Sequence, residues 1–253
     1  SALWPFAILY TKYEQKFYPA DLVATAREIL QLWIMRMIFS GKFFMGKEPF
    51  KFVFIHPTVL TKEGKRMSKS LGTGIDPLEL IEKYGADALR FGIVWQMSAH
   101  QDLRFDLVPV EQGQKFLNKI WNAYRFYFIY RSNGFKTDYM NKKYSSKFLS
   151  KQRLSIYDKK ILKSLQSTKK FVIKKIENYD LGLALKRIYK FFWNELCDVY
   201  LESWKGKTNN HPEVFTKVMF ETLKLMHPFL PYITQFLYFN FKKDSNCLFF
   251  EKW

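Results

Sequence analysis

The segment GKRMSKSLGTGIDP (residues 64–77) determines how the rest of the chain is interpreted. It contains three positive charges, two serines and three glycines, and it ends on Asp-Pro, a pair typical of a helix start. Ammonium groups and serine hydroxyls complement phosphate oxygens, and glycines let a backbone approach a ligand closely. We therefore predict a mobile loop that contacts phosphate, with scaffolding before it and a polyanion-binding part after it.

Overall charge favours a polyanionic partner. The 253 residues contain 41 Lys+Arg and 23 Asp+Glu, a net charge of +18, and the pI is about 9.7. Such values are typical of nucleic-acid binders. A compositional bias of the genome is the alternative explanation, because 26 Phe and 15 Tyr would fit it too.

Cysteine usage and hydropathy favour an intracellular protein. Cys197 and Cys247 are isolated, so the chain has neither a four-thiolate zinc site nor a disulfide framework, and no metal site is predicted. No apolar run approaches the roughly 18 residues that span a bilayer, and a signal peptide is not recognisable. We expect a soluble, cytoplasmic protein without a membrane partner. Because the chain begins at Ser1, we also expect a fragment.

The residues before the loop have the pattern of a strand, a helix and a second strand. Residues 21–24 form a short strand candidate, and Thr25 and Glu28 have the spacing of a capping box that would start a helix ending at Gly41. Residues 50–56 are aromatic and β-branched, which predicts the second strand. A crossover of this kind predicts parallel strands with ligands at their carboxyl ends, where the loop follows.

The periodicity becomes helical after the loop. Helices are predicted over 77–84, ended by Gly85, and over 86–97, and residues 98–110 look like a polar connector. We predict an α/β catalytic-type domain over 1–110, with the loop at 64–74 and connecting helices at 77–97. An all-α helix bundle should follow over 111–253. Its predicted helices are 111–131, 155–178, 181–205, 212–226 and 232–241, with a polar linker over 132–154.

One stretch of the bundle is almost purely basic. Between Lys142 and Lys175 there are twelve basic residues and a single acid, Asp158. A solvated helix face is the usual explanation of such a run. We favour a phosphate-contacting surface, because the run lacks the opposite charges that stabilise an ordinary exposed helix.

Several blocks of the sequence resemble class I aminoacyl-tRNA synthetases, and among them the valyl-tRNA synthetases. Residues 66–70 resemble the Lys-Met-Ser-Lys-Ser signature, and 32–37 resemble the Trp-x-x-Arg-Met helix of that family. The other matching blocks are SALWPF (1–6), DPLELIEKYGADALRF (76–91), QDLRF (101–105), NKIWNA (118–123) and MHPFLPYIT (226–234). The resemblance implies the C-terminal part of a Rossmann-like parallel-sheet catalytic domain followed by an anticodon-binding bundle.

The resemblance also implies a reaction and its participants. Valine and ATP, with Mg²⁺ bound to the ATP, would give valyl-adenylate and pyrophosphate, and the valyl group would then pass to tRNA(Val). Lys69 is the principal predicted catalytic contact with the pyrophosphate, assisted by Lys65 and by Arg66, which replaces the first lysine of the signature. Ser68, Ser70 and Met67 of the same loop complete its predicted ATP contacts.

Residues before the loop resemble family members that bind ATP and valine. Trp33 corresponds to a tryptophan of the valine pocket, although core packing is the ordinary role of a lone Trp in an apolar helix stripe. Glu28 lies where the family more often has Asp near the ribose. His56 resembles a residue beside the adenine, or it simply caps the strand end.

In the bundle, the resemblance and the charge pattern imply tRNA contacts. Phe126 corresponds to an aromatic that contacts an anticodon base, and stacking of this kind contributes about 1–3 kcal/mol per base. Core packing is the alternative role for this ring. Asn122 and Arg125 on the same helix, with Lys159, Lys160 and Lys163 of the basic run, are predicted to contact the tRNA.

Parts of the family pattern are not in these residues. The second ATP motif, His-x-Gly-His, has no match, and neither do the editing domain and the C-terminal coiled coil. We therefore expect the chain to need the N-terminal half of the same enzyme as a partner, and to be inactive alone. A non-catalytic tRNA-binding module or paralogue, or part of an isoleucyl- or leucyl-type synthetase, is the alternative.

Overall fold

The computed structural model describes residues 2–9, 16–67, 72–98, 101–132, 154–204, 211–242 and 247–251. The chain divides into two compact units. The first comprises Ser1–Arg66 and His100–Arg104, and the second comprises Met67–Ala99 and Phe105–Trp253.

The first unit is built around two parallel strands. Ala20 of β1 lies opposite Phe50 of β2, and Thr25 lies opposite Ile55, so the predicted strand, crossover and strand are confirmed. A small cluster of Ile34, Met37 and Phe50 packs the crossover onto β2. The elements of this unit are α1 (Trp4–Leu9), β1 (Ala20–Thr25), α2 (Arg36–Met45), β2 (Phe50–Ile55), β3 (Val59–Leu60) and β4 (Leu103–Arg104), and β3 pairs with β4 in parallel.

The crossover does not follow the predicted capping pattern. Thr25 ends β1, and the chain then forms a 3₁₀ turn (Arg27–Ile29) and a π-helix (Leu30–Met35) before α2, with no side chain capping the first turn. The predicted stop at Gly41 is also wrong, because α2 continues to Met45. A Cβ at position 41 would lie 2.9 Å from the Tyr18 hydroxyl oxygen, so the glycine allows a close approach rather than a helix end.

The second unit is helical, as predicted. Asp76 accepts a hydrogen bond from the Leu78 backbone N–H at 2.8 Å and caps α3, and Gly85 follows that helix with a φ of +88°. The long helix begins at Val108, three residues before the predicted start. The helices are α3 (Pro77–Tyr84), α4 (Ala86–Gln96), α5 (Val108–Ser132), α6 (Ile156–Glu177), α7 (Leu181–Lys190), α8 (Pro212–Met226) and α9 (Pro231–Lys242). A π-helix (Phe191–Leu201) and a helical turn (Glu202–Trp204) continue α7.

The helix at 86–96 (α4) packs against the bundle that follows it in the sequence. Phe91 is fully buried in the core of the second unit, and a Cβ on Gly92 would lie 2.5 Å from a methyl of Val110. A Cβ on Gly182 of α7 would lie 2.2 Å from the Met97 carbonyl oxygen. The division into compact units groups α4 with the bundle, because Phe91 of α4 belongs to the core of the bundle. The predicted domain boundary at residue 110 stays a prediction.

A polar clamp fixes α4 to the turn between α8 and α9. The Asp87 carboxylate accepts hydrogen bonds from the backbone N–H groups of Tyr232 at 3.3 Å and Ile233 at 2.7 Å. Arg90, one helical turn later, donates to the carbonyl oxygens of Phe229 at 3.1 Å and Pro228 at 2.9 Å. Two sequence blocks far apart in the chain, 76–91 and 226–234, therefore meet in one contact.

The bundle has a near end, at α4, and a far end. At the far end the Asp158 carboxylate accepts a hydrogen bond from the Tyr200 hydroxyl at 2.8 Å, and the ring centroids of Tyr130 and Trp204 lie 5.3 Å apart. The end of α5, the start of α6 and the end of the α7 extension therefore lie together there. Because α7 starts against Met97, α6 runs from the far end toward the near end.

Ser155 should stabilise the start of α6. Its hydroxyl accepts a hydrogen bond from the Asp158 N–H at 3.1 Å, and the Asp158 carboxylate accepts one from the Ser155 N–H at 3.1 Å, which completes a capping box. We expect Ser155→Ala to lower the free energy of unfolding by about 1 kcal/mol in urea titrations. Ser167→Ala, on the exposed face of the same helix, is the matched control. An equal loss in both variants would contradict the capping role.

Candidate nucleotide and nucleic-acid sites

The carboxyl ends of β1 and β2 form one edge of the first unit. The His56 backbone N–H donates to the Thr25 carbonyl oxygen at 3.0 Å, which extends the strand pairing by one residue. Glu28 follows β1 by three residues and His56 follows β2 directly. The structure therefore places both predicted ATP contacts at the edge where parallel sheets bind ligands.

A tight turn brings the start of the loop back along β3. The Thr61 N–H donates to the Lys65 carbonyl oxygen at 2.8 Å, the Gly64 N–H donates to the Thr61 carbonyl oxygen at 2.9 Å, and Leu60 forms an antiparallel bridge with Arg66. Gly64 has a φ of +84°, a conformation that favours glycine. Lys65 and Arg66 leave this turn with exposed side chains.

The same turn brings Arg66 to Glu28. The Arg66 Nη2 lies 3.8 Å from the Glu28 Oε1, and the two side chains are 71% and 36% exposed. An exposed pair of this kind contributes at most about 1 kcal/mol, so a ligand could separate it easily. A guanidinium that suits phosphate thus stands beside a carboxylate that can accept from ribose hydroxyls.

The central residues of the predicted loop cannot be placed relative to Glu28 and Arg66. Ser68, Lys69 and Ser70 lie outside the described residues, so their roles stay predictions. Met67 is half-buried.

Trp33 and His56 have ordinary contacts beside their predicted roles. Trp33 lies in the π-helical turn, half-buried against the cluster of Ile34, Met37 and Phe50. The His56 Nδ1 lies 3.1 Å from the Pro57 carbonyl oxygen, and the side chain is exposed. Core packing accounts for part of the Trp33 surface, and its contact with valine stays a prediction.

On α5 the predicted tRNA contacts divide between surface and core. Asn122 and Arg125 are exposed, whereas Phe126 is half-buried and packs against the bundle core. The Phe126 ring centroid lies 5.7 Å from that of Tyr130 and 6.4 Å from that of Phe215. The ring thus makes the core contacts that were the alternative to base stacking, and the stacking role stays a prediction.

On α6 the predicted lysines are exposed but point in two directions. Lys159 and Lys163 are one helical turn apart on the outer face. Lys160 lines a groove of about 280 Å³ between α6 and the π-helix, together with Tyr157, Ser164, Asn194, Glu195 and Val199. Lys170 and Lys174 are also exposed on this helix, but they were not among the residues predicted from the sequence to contact tRNA. Their spacings of seven and four residues after Lys163 could have shown that they lie on the same helix face as Lys159 and Lys163. Five further residues of the run (Lys142, Lys143, Lys147, Lys151 and Arg153) lie outside the described part.

Among the described residues, no group of three His, Cys, Asp or Glu side chains is arranged to hold a metal ion. Burial raises the pKa of the Cys197 thiol to about 12, which makes it a poor nucleophile. In the same part of the chain, no helix has the length and apolar character needed to cross a bilayer.

Comparison with known proteins gives two family matches and many relatives. Residues 1–106 match the class I tRNA synthetases for Ile, Leu, Met and Val, and residues 158–253 match the anticodon-binding domain of tRNA ligases. Valine–tRNA ligases of Petrotoga mobilis and Clostridium tetani are each 40% identical to this chain over its whole length, and that of Thermotoga maritima is 38% identical. The chain spans 29% of the length of each of these relatives.

Solved structures show the same fold. A leucyl-tRNA synthetase of Agrobacterium radiobacter K84, in a ternary complex with tRNA and LeuAMS, has a TM-score of 0.77 at 18% identity, over 96% of this chain and 31% of that one. Methionyl-tRNA synthetase of Mycobacterium tuberculosis, bound to methionyl-adenylate, has a TM-score of 0.69 at 18% identity, over 92% and 46%. These likenesses confirm the predicted fold class, an α/β part followed by a helical part. The chain belongs to the class I aminoacyl-tRNA synthetases, and it carries residues of both their catalytic and their anticodon-binding domains.

Proposed function

We propose that this chain supplies the pyrophosphate-contacting loop and the tRNA-binding bundle of a valine–tRNA ligase. The observation that carries the proposal is its match, over the whole chain, to valine–tRNA ligases at 37–40% identity. Its substrates would be L-valine, ATP with Mg²⁺, and tRNA(Val), and its place of action the cytoplasm. The arrangement of Glu28, His56 and Arg66 at one sheet edge supports the ATP-binding part.

In the proposed first step, a valine carboxylate oxygen attacks the α-phosphorus of ATP. The bond from that phosphorus to the bridging oxygen breaks, and its electron pair leaves with the pyrophosphate, where negative charge develops. Lys69, Arg66 and Lys65 would stabilise this charge, which is the usual means of catalysis in phosphoryl and nucleotidyl transfer. Glu28 would accept hydrogen bonds from the ribose hydroxyls and hold the nucleotide in line.

We further propose that the N-terminal half of the same enzyme covers the first unit. Large apolar side chains are exposed on its sheet and on α2: Phe52 is 60% exposed, Phe39 is 68% exposed and Phe43 is 83% exposed. Exposed apolar surface of this extent is typical of interaction sites. The missing His-x-Gly-His motif would arrive with that partner.

A chimera tests the function. Residues 1–253 replace the corresponding 29% of the Petrotoga mobilis valine–tRNA ligase, and valine-dependent ATP–pyrophosphate exchange and charging of tRNA(Val) are measured. We expect both activities with valine, and none with the isolated 253-residue chain. A chimera that folds and binds tRNA but exchanges no pyrophosphate would favour the non-catalytic tRNA-binding module, and exchange driven by isoleucine or leucine would favour the other synthetase types.

Glu28→Gln should weaken ATP binding in this chimera. Replacing the carboxylate removes charge-assisted hydrogen bonds to the ribose, so we expect the KM for ATP to rise about tenfold, with a smaller change in the KM for valine. Glu63→Gln, which alters an exposed acid in the turn before the loop, is the matched control. If the two variants had the same KM for ATP, the ribose role of Glu28 would be wrong.

A further inference from the structure

Four lysines form a straight stripe along α6. Lys159, Lys163, Lys170 and Lys174 are separated by four, seven and four residues. At 3.6 residues per turn they fall within about 60° of the helix circumference, and they span about 22 Å of its length. All four side chains are exposed, and none forms an ion pair with another described residue.

The stripe lies opposite the buried face of the helix. Ile161, Leu165 and Val172 are at most 3% exposed and pack into the bundle core, and their positions are centred about 180° from the stripe. Two of the three lysines on the flanks of the helix are neutralised instead: Lys169 pairs with Glu221, and Lys175 lies 2.7 Å from Asp180. Apart from Lys160, the unpaired lysines of this helix therefore lie on its outward face.

This distribution favours one kind of partner. A membrane-surface helix needs a free apolar face to insert between lipids, and the apolar face of α6 is already occupied by the core. A row of exposed lysines, with a single acid (Glu177) on the same helix face at the end near α4, suits a polyanion whose charges also follow a line, as the phosphates of a nucleic-acid strand do. The stripe runs from Lys159 at the far end of the bundle to Lys174 nearer α4, so a strand on it would lie along the bundle axis.

We infer that the α6 stripe is a phosphate track that carries one strand of an RNA along the bundle from its far end toward α4. This inference rests on the proposed tRNA-binding function and adds Lys170 and Lys174 to the predicted contacts. Lys160 does not belong to the track, because it lines the groove on the side of the helix.

Salt-dependent binding tests the track. Binding of a tRNA(Val) transcript to the 253-residue chain is measured between 50 and 200 mM salt, for the wild type and for the variant with Lys159, Lys163, Lys170 and Lys174 changed to Gln. Each phosphate contact contributes about 0.7–0.9 to the slope of log K against log salt, so the fourfold variant should lose about 3 from the slope. A fourfold Lys→Arg variant should keep the wild-type slope, because it keeps the charges.

A charge-matched control separates the stripe from net charge. Gln at Lys47, Lys83, Lys115 and Lys190, four exposed lysines elsewhere, lowers the net charge equally and should change the slope by less than about 1. Equal losses in both variants, or a fourfold stripe variant with the wild-type slope, would overturn the track. Displacement of the RNA by poly-glutamate as effectively as by an RNA competitor would instead assign the stripe to an acidic protein. Wild-type binding that does not respond to salt would contradict the proposed tRNA-binding function itself.

Discussion

Lys69→Ala should lower the rate of valine-dependent ATP–pyrophosphate exchange by about 10²- to 10³-fold in the chimera. Removing one preformed charge or hydrogen-bond donor from a developing anion commonly has an effect of this size. Because the charge develops on the departing pyrophosphate, the loss should lie mainly in kcat, with a smaller change in the KM for valine. Lys69→Arg, which keeps the charge but changes its geometry, should recover part of the rate.

The control for Lys69 is another lysine of the same region. Lys62 lies in the turn before the loop and is exposed, so Lys62→Ala removes one charge from the same region of the sequence. We expect it to leave the exchange rate nearly unchanged. If Lys69→Ala behaved like Lys62→Ala, the phosphate-binding role of the loop would have to be abandoned, even with intact tRNA binding.

Local sequence patterns predicted the elements whose ends depend on neighbouring residues. Asp76 and Pro77 start α3 because the side-chain cap and the fixed φ act within one turn. The helices at 212–226 and 231–242 likewise begin at prolines, Pro212 and Pro231. The aromatic and β-branched run at 50–55 became a strand because such side chains pack well on a half-buried sheet.

The predictions that were wrong concern places where a residue distant in sequence determines the backbone conformation. Thr25 cannot start a helix, because it is paired with Ile55 of the neighbouring strand. Gly41 has the local pattern of a helix end, but its true partner is Tyr18, 23 residues earlier. The π-helical turns at 30–35 and 191–201 were also missed, because hydrophobic spacing does not distinguish them from an α-helix.

In the candidate site, too, the sequence predicted individual residues, whereas their mutual arrangement depends on tertiary contacts. Glu28 and Arg66 were each predicted from the resemblance, but their separation of 3.8 Å follows from strand pairing and from the turn at 61–65. On α6, sequence identified the lysines, and the helix geometry then separated Lys163, on the stripe, from Lys160, in the groove. The sequence therefore identifies candidate residues by type and spacing, whereas the positions of their side chains relative to one another follow only from the fold.

Asp87→Ala should be the most destabilising of the single substitutions considered in the helical unit. The carboxylate is 5% exposed and accepts from two backbone N–H groups in the first turn of α9, groups that have no partner within that helix. Hydrogen bonds to a charged acceptor contribute about 1.5–3 kcal/mol, so we expect the free energy of unfolding to fall by about 3 kcal/mol. Urea titration followed by circular dichroism measures it.

Two further variants make this result specific. Glu82→Ala removes an exposed acid from α3 and should change the free energy of unfolding by less than about 0.5 kcal/mol. Arg90→Ala removes the other half of the clamp, and the double variant should lose less than the sum of the single losses, because both residues hold the same turn. Strict additivity would mean that the two side chains act independently.

The pH dependence identifies the charge on Asp87. Burial raises the pKa of this carboxyl above its ordinary value, more than the hydrogen bonds from Ile233 and Tyr232 and the nearby Arg90 lower it. A folded-state pKa above the unfolded one gives a stability contribution that is present below the unfolded pKa and is lost as pH rises through the folded pKa. Asp87→Asn cannot ionise and lacks this loss, so the stability advantage of the wild type over Asp87→Asn should shrink between pH 4 and pH 7. An advantage that widened over this interval would mean that the clamp favours the charged carboxylate, with a lowered pKa.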